Sequence, residues 1–180
     1  GPGKRRTMKI GICDESCEVR RKLLLALSDL YKETQGILFR PYTPNEIMID
    51  MEDMVFDCEI LIMNTQYPNS GLDGVALAKQ INGAFPFCKI IYLTEDENAI
   101  KDVYETNHCY FIRRKDAEQV LGLAMQKAIA LVKQDKNRKS MEIICEGHHV
   151  FINRPDIIYN EKCGRTINIV TRYREYICYE

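Results

Sequence analysis

No apolar run in this 180-residue chain approaches the 18 or so residues that would cross a bilayer, and no signal peptide opens it. A membrane partner is therefore not expected. None of the eight cysteines forms a CxxC pair, and their scatter argues against a zinc site or a disulfide framework. Cys13, Cys58, Cys88 and Cys109 fall in or beside apolar runs, the pattern of small buried hydrophobes in a reducing cytoplasm. Net charge is also lacking: the formal value of −1 gives no overall pull toward nucleic acid or membrane. No glycine-rich loop follows the first apolar run, where Asp14-Glu15-Ser16 would repel a phosphate, so the sequence argues against a flavodoxin-like enzyme and no enzymatic activity is expected. His108, His148 and His149 form no triad or metal spacing; His108 precedes a strand, and the other two are expected in a solvated turn.

What is present is an ordinary soluble composition, 46% hydrophobic and 28% charged, in a length that fits one full domain and part of another. The charge is uneven. Residues 8–134 hold 14 Lys/Arg against 19 Asp/Glu, and residues 135–180 hold 8 against 7. Residues 1–7 begin with Gly-Pro, as a protease-cleavage scar does, and Met8 is the expected natural start.

Apolar periodicity orders the elements. Residues 8–13 read as a strand, and Ser16 caps a helix over 16–33 carrying Val19, Leu23, Leu27 and Leu30, ended by Gly36. A strand over 37–40 and a short helix after Thr43-Pro44 follow. Residues 60–63, Ile-Leu-Ile-Met, are apolar throughout and predict a strand buried on both faces. A helix over 73–83, a strand over 89–93, a weak helix over 97–106, a strand over 110–112 and a long helix over 116–134 complete the series. Five alternations of strand and helix predict a five-stranded parallel, doubly wound α/β sheet over 8–133. Residues 134–140 are polar and read as a linker, and short strands then alternate through 141–180.

In a doubly wound sheet the site lies at the carboxyl ends of the strands. Those ends carry Asp14 and Glu15, Asn64, Thr94 with Glu95, and Arg113-Arg114. Adjacent carboxylates suit a hard divalent cation, and a hydroxyl with a cation suits a phosphoryl group. An acidic pair alone is ordinary at a helix N-terminus. Polar residues of these kinds at four successive strand ends are not an ordinary coincidence.

This order resembles the receiver domain of two-component response regulators. "KIGICDES" is similar to the first strand with its acidic pair, "CEILIMNTQYPNSGLDG" to the third strand and its loop, "KIIYLTED" to the fourth and "YFIRRKD" to the fifth. The resemblance implies a flavodoxin-like receiver fold, with Asp14 and Glu15 as Mg²⁺ ligands, Thr94 and Phe111 as switch residues, and Arg114 (or its neighbour Arg113) at the family's lysine position. Pro68, four residues on, places Asn64 where the family has its phosphoacceptor aspartate. Residues 141–180 resemble the opening half of a LytTR domain, a mostly β DNA-binding module, most of all in Asp156-Ile-Ile-Tyr-Asn-Glu161 and Ile167-Asn-Ile-Val-Thr171. The implied partners are DNA for the full-length protein, a second copy through the 97–134 face with Ile100 and Tyr104 as candidates, and a sensor histidine kinase only if the site is competent.

The departures share a direction. An amide nitrogen delocalised into its carbonyl cannot replace a carboxylate as a nucleophile toward phosphorus. Asn64 also removes one of three acids from the metal site, so Mg²⁺ binding is expected to be weak at most. Glu95 stands where the family has a small residue and would repel an incoming phosphoryl group. Arginine at 114 keeps the charge but changes its reach, Lys115 stands where proline is common, and the loop from Asn64 to Gly74 is about two residues long for the family. The expectation is a transcriptional response regulator with a degenerate receiver. The competing reading is a phosphorylation-independent adaptor that binds a ligand or protein on the same scaffold.

Overall fold

A computed structural model describes residues 7–145, 147–153, 157–171 and 174–179. Most of the proposed scar, together with Glu146 and Asp156 of the LytTR-like segment, lies outside them. The chain divides after Val132 into two compact units.

The first unit is built on five parallel strands: β1 Met8–Cys13, β2 Ile37–Tyr42, β3 Ile60–Met63, β6 Lys89–Thr94 and β7 Tyr110–Arg113, in the order β2-β1-β3-β6-β7. Between β3 and β6 a two-residue-strand hairpin intervenes, β4 Gln66–Tyr67 and β5 Leu72–Asp73. The helices are α1 Cys17–Leu30, α2 Pro44–Glu52, α3 Gly74–Ala84, α4 Ile100–Val103 and α5 Ala117–Lys139. Alternate side chains of the inner strands feed two separate cores. Ile10, Ile12, Ile60, Ile62, Ile91 and Leu93 meet α1 and α5 residues such as Leu27, Ala124 and Ala128 on one face. Leu61, Met63, Ile90 and Tyr92 meet Ile47 of α2 and Ala78 and Ile81 of α3 on the other. Gly11 explains how bulky residues fit beside β1. A Cβ there would lie 2.9 Å from Leu61 Cδ1 and 3.2 Å from Tyr42 Cε2, so the missing side chain admits both. Pro41 is tolerated because β2 is an edge strand.

Local chemistry sets the helix starts, at Ser16 as the sequence predicts. Ser16 Oγ accepts from Val19 N, Thr43 and Glu46 form a reciprocal capping box ahead of Pro44, and Asp73 caps α3. Several boundaries differ. The first helix stops at Leu30, six residues before Gly36, because the backbone leaves the helical region at Tyr31 and turns, with Thr34 N donating to Tyr31 O at 3.0 Å. The weak 97–106 helix contracts to a 3-10 turn over Glu97–Ala99 and the single turn of α4. The expected linker 134–140 is helical through Lys139, and Ser140 opens a strand. Gln134-Asp-Lys-Asn-Arg-Lys139 contains no Gly or Pro, and its Gln, Lys and Arg residues are good helix formers, so polarity alone does not break the helix.

The second unit is β-rich. β8 Ser140–Cys145 and β9 His148–Asn153 form an antiparallel hairpin, so His148 and His149 lie on a strand rather than in a turn. β10 Ile157–Cys163, β11 Thr166–Thr171 and β12 Glu175–Tyr179 form an antiparallel sheet. Ile152 of β9, Ile169 of β11 and Cys178 of β12 are the small buried core of this unit.

The cysteines of the first unit act largely as core residues. Cys13, Cys58 and Cys88 are buried, and burial pushes the Cys13 thiol from 9.0 up to about 12 and that of Cys58 to about 11. Burial also raises the Tyr67 phenol. In the unfolded chain these thiols lose their protons near pH 9, whereas the folded state holds them protonated. Their contribution to stability is thus complete below pH 9 and is lost between about 9 and 12. The expected result is a urea midpoint that is flat from about pH 7 to 8.5 and falls steadily above pH 9. A midpoint unchanged up to about pH 11 would show that these groups ionise freely in the folded state.

Candidate functional site

The strand order reverses between β1 and β3, and the carboxyl ends of these two strands carry Asp14 and Asn64. Such a reversal opens a crevice at the sheet edge. Asp14 is buried, with 8% of its surface exposed. Its Oδ1 accepts from Ser16 N at 2.9 Å, and its Oδ2 lies 3.8 Å from Arg114 Nη2. Arg20 Nη1 donates to the Asp14 carbonyl at 2.7 Å. Arg114 Nε lies 3.3 Å from Glu95 Oε1, at ion-pairing distance but without hydrogen-bond geometry. The guanidinium therefore bridges the first acid and the residue after Thr94. Arg113 is turned outward, where it pairs with Asp116 at 2.7 Å and Glu97 at 3.9 Å. Of the two arginines, Arg114 is thus the one that reaches Asp14.

Glu15 does not join Asp14. Its Oε1 accepts from Asn69 N at 3.1 Å and its Oε2 from Ser70 Oγ at 2.7 Å. Both groups lie at the tip of the β4–β5 hairpin. Asn64 is held by its own loop: its Oδ1 accepts from Thr65 N at 2.7 Å and Gln66 N at 3.5 Å.

A Mg²⁺ ion would need several free oxygens converging on one point. Here both carboxylate oxygens of Asp14, both of Glu15 and the amide oxygen of Asn64 already face partners, and a permanent cation, Arg114, stands beside Asp14. These residues do not fit a magnesium site in this arrangement. Among the described residues, no group of three His, Cys, Asp or Glu is placed to hold a metal.

Thr94 is buried, and its Oγ1 lies 2.9 Å from Thr65 Oγ1 while accepting from Asp96 N at 3.1 Å. Phe111 is half-buried, its ring centroid 6.5 Å from that of Tyr92. Ile100 and Tyr104 are both exposed, and Val103 is the residue that α4 buries.

Two residues that sequence reasoning passed over complete the site. Tyr67 is fully buried; its hydroxyl accepts from Asn64 N at 2.8 Å and donates to Cys13 O at 3.1 Å, tying the ends of β3 and β1 together. Thr65 is the partner of Thr94. The one available signal was a run of polar and hydroxyl-bearing residues, Asn64-Thr-Gln-Tyr67, directly after a fully buried strand, where a polar group has to find a partner.

No family model and no curated protein matches the chain. Solved structures do. A response regulator receiver domain protein from Clostridium thermocellum is 20% identical with a TM-score of 0.54, over 71% of this chain and 98% of that one. A two-component transcriptional regulator, AraC, from Clostridium phytofermentans is 17% identical with a TM-score of 0.58, over 73% and 99%. RcsB from Salmonella enterica serovar Typhimurium, bound to the rprA promoter in the presence of phosphomimetic BeF3⁻, is 19% identical with a TM-score of 0.54, over 67% of each. At these identities the likeness is one of fold. The first unit has the flavodoxin-like receiver fold, and a β-rich segment follows it. Among the described residues no helix is long and apolar enough to cross a membrane.

Proposed function

We propose that this chain is a cytoplasmic response regulator for signal transduction and transcriptional control, whose receiver works without phosphorylation and has no enzymatic activity. The observation that carries the reading is the engaged site: an amide at the acceptor position, surrounded by acids whose oxygens already have partners within the protein. Such a site offers neither a nucleophile nor a free metal position, and Glu95 adds negative charge beside Arg114. Mg²⁺ binding is therefore weak at most, and a sensor histidine kinase is a partner only of a competent site.

The output is assigned to the second unit and to the 97–134 face. Residues 141–180 read as the opening part of a LytTR domain, so DNA is the partner of the full-length protein, as promoter DNA is for the neighbour RcsB. Exposed Ile100 and Tyr104 suit pairing with a second copy.

Incubation with acetyl phosphate and Mg²⁺, read by intact mass, tests the proposal. The unmodified chain is expected to gain no phosphoryl group, and a stable adduct on it would overturn the reading. Asn64→Asp supplies the carboxylate but leaves Glu15 bound to the hairpin and Arg114 beside Asp14, so the variant is expected to stay largely unmodified. Efficient labelling of the variant would show that this arrangement opens to admit the metal.

A further inference from the structure

The hydroxyl groups along the carboxyl edge of the sheet form a connection that neither the fold nor the acid cluster requires. Thr65 follows the end of β3 and Thr94 ends β6, the neighbouring strand. Their hydroxyls meet at 2.9 Å with 0% and 2% of the two residues exposed. Thr94 Oγ1 also accepts from Asp96 N, and Asp96 in turn starts the next segment: its Oδ1 accepts from Asn98 N at 3.0 Å and its carbonyl from Ala99 N at 3.2 Å. The far end of that segment is fastened in the same way. Thr106 Oγ1 lies 2.8 Å from Tyr92 Oη and donates to Val103 O at 2.8 Å. Residues 96–106 are thus fixed to β6 at both ends by buried hydroxyls, and the single turn of α4 between them presents Ile100 and Tyr104 to solvent.

A four-residue helix has too few internal hydrogen bonds to hold itself. Its position is set by these end attachments, and the first of them depends on which way the Thr94 hydroxyl points. We propose that Thr65 is a positioning residue that fixes Thr94 in the rotamer which anchors Asp96, so that the end of β3 next to Asn64 dictates the conformation of α4. The proposal rests on the preceding reading only in treating the α4 face as an output surface. The mechanism is local. A buried hydroxyl seeks a partner, and a threonine side chain has alternative χ1 rotamers. Without Thr65, the Thr94 hydroxyl turns to another acceptor and releases Asp96 N. With Thr65 present, α4 is held in one state whether or not the acid cluster is occupied.

Site-resolved amide hydrogen exchange on the full chain tests this without phosphate or metal, so its outcome is independent of the acetyl phosphate experiment. Thr65→Val keeps the shape and removes the hydroxyl. The expected result is exchange about tenfold faster at Asp96, Asn98 and Ala99, while core amides such as Ile62 and Ile91 keep their protection. Thr65→Ser should restore the slow exchange. Thr65→Ala, which removes the hydroxyl without a branched side chain, should reproduce the local pattern if Val packs badly. Uniform acceleration across the sheet would reduce Thr65 to a general stability role, and unchanged exchange at 96–99 would show that Thr94 holds the segment without it. Either result overturns the proposal.

Discussion

Gly74→Ala is expected to lower the stability of the first unit by about 4 kcal/mol and to break the arrangement around Asn64. A Cβ at this position would lie 2.1 Å from the Asn64 carbonyl oxygen and 2.8 Å from the Thr65 carbonyl carbon. Both are backbone atoms, so no side chain can swing away to relieve the clash. The neighbourhood is rigid, since Gly74 N donates to Thr65 O at 2.9 Å and closes the base of the β4–β5 hairpin. Relief requires that base to open, which would carry the hairpin tip and its bonds to Glu15 with it. Urea unfolding would measure the loss, and the amide signals of Asn69 and Ser70 would report the hairpin. A loss below about 1 kcal/mol would mean that the close approach relaxes easily.

Ile62→Ala is the second large effect, expected at about 3–5 kcal/mol. Ile62 lies on the central strand, paired with Ile12 of β1 and Ile91 of β6. All three are 1% exposed or less and belong to the core beneath α1 and α5. Truncation removes apolar contact and leaves a cavity that strands hydrogen-bonded on both sides cannot collapse to fill. A drop in the urea midpoint at unchanged slope is the expected signature. A cost below about 1.5 kcal/mol would indicate that α1 or α5 moves in to close the space. The variant also serves as a control for the site. It should weaken the fold while leaving the Thr65–Thr94 contact, which belongs to the strand ends, in place.

Much of this was legible in the chain itself. Apolar runs such as Ile60-Leu-Ile-Met63 announce a strand covered on both faces, as a parallel sheet packed between two layers of helices provides. Ser16, Thr43 and Asp73 mark helix starts through bonds to neighbours two or three residues away, which is why they can be read without the fold. The limits were equally physical. Residues 134–139 are polar, and polarity reads as linker, yet their helix propensity extends α5. α4 is a single turn whose flanks are tied to Thr94 and Thr106, residues that themselves bond Thr65 and Tyr92, 29 and 14 positions away.

Asn64 shows where the division falls. Sequence alone determined that an amide, Asn64, follows the third main strand of an alternating α/β sheet, with Glu95 after the fourth and Arg114 after the fifth. These facts depend on residue identity and spacing along one strand–loop–helix unit. Only the tertiary structure decided that Glu15 turns to Asn69 and Ser70 instead of to Asp14, that Arg114 and not Arg113 enters the crevice, and that Thr65 and Tyr67 tie the strand ends together. Each of those contacts joins groups separated by 29 to 100 residues, apart from the one Tyr67 makes to Asn64. A carboxylate or hydroxyl has several partners within reach at a sheet edge, and which one it takes is fixed by the packing that brings the strand ends together.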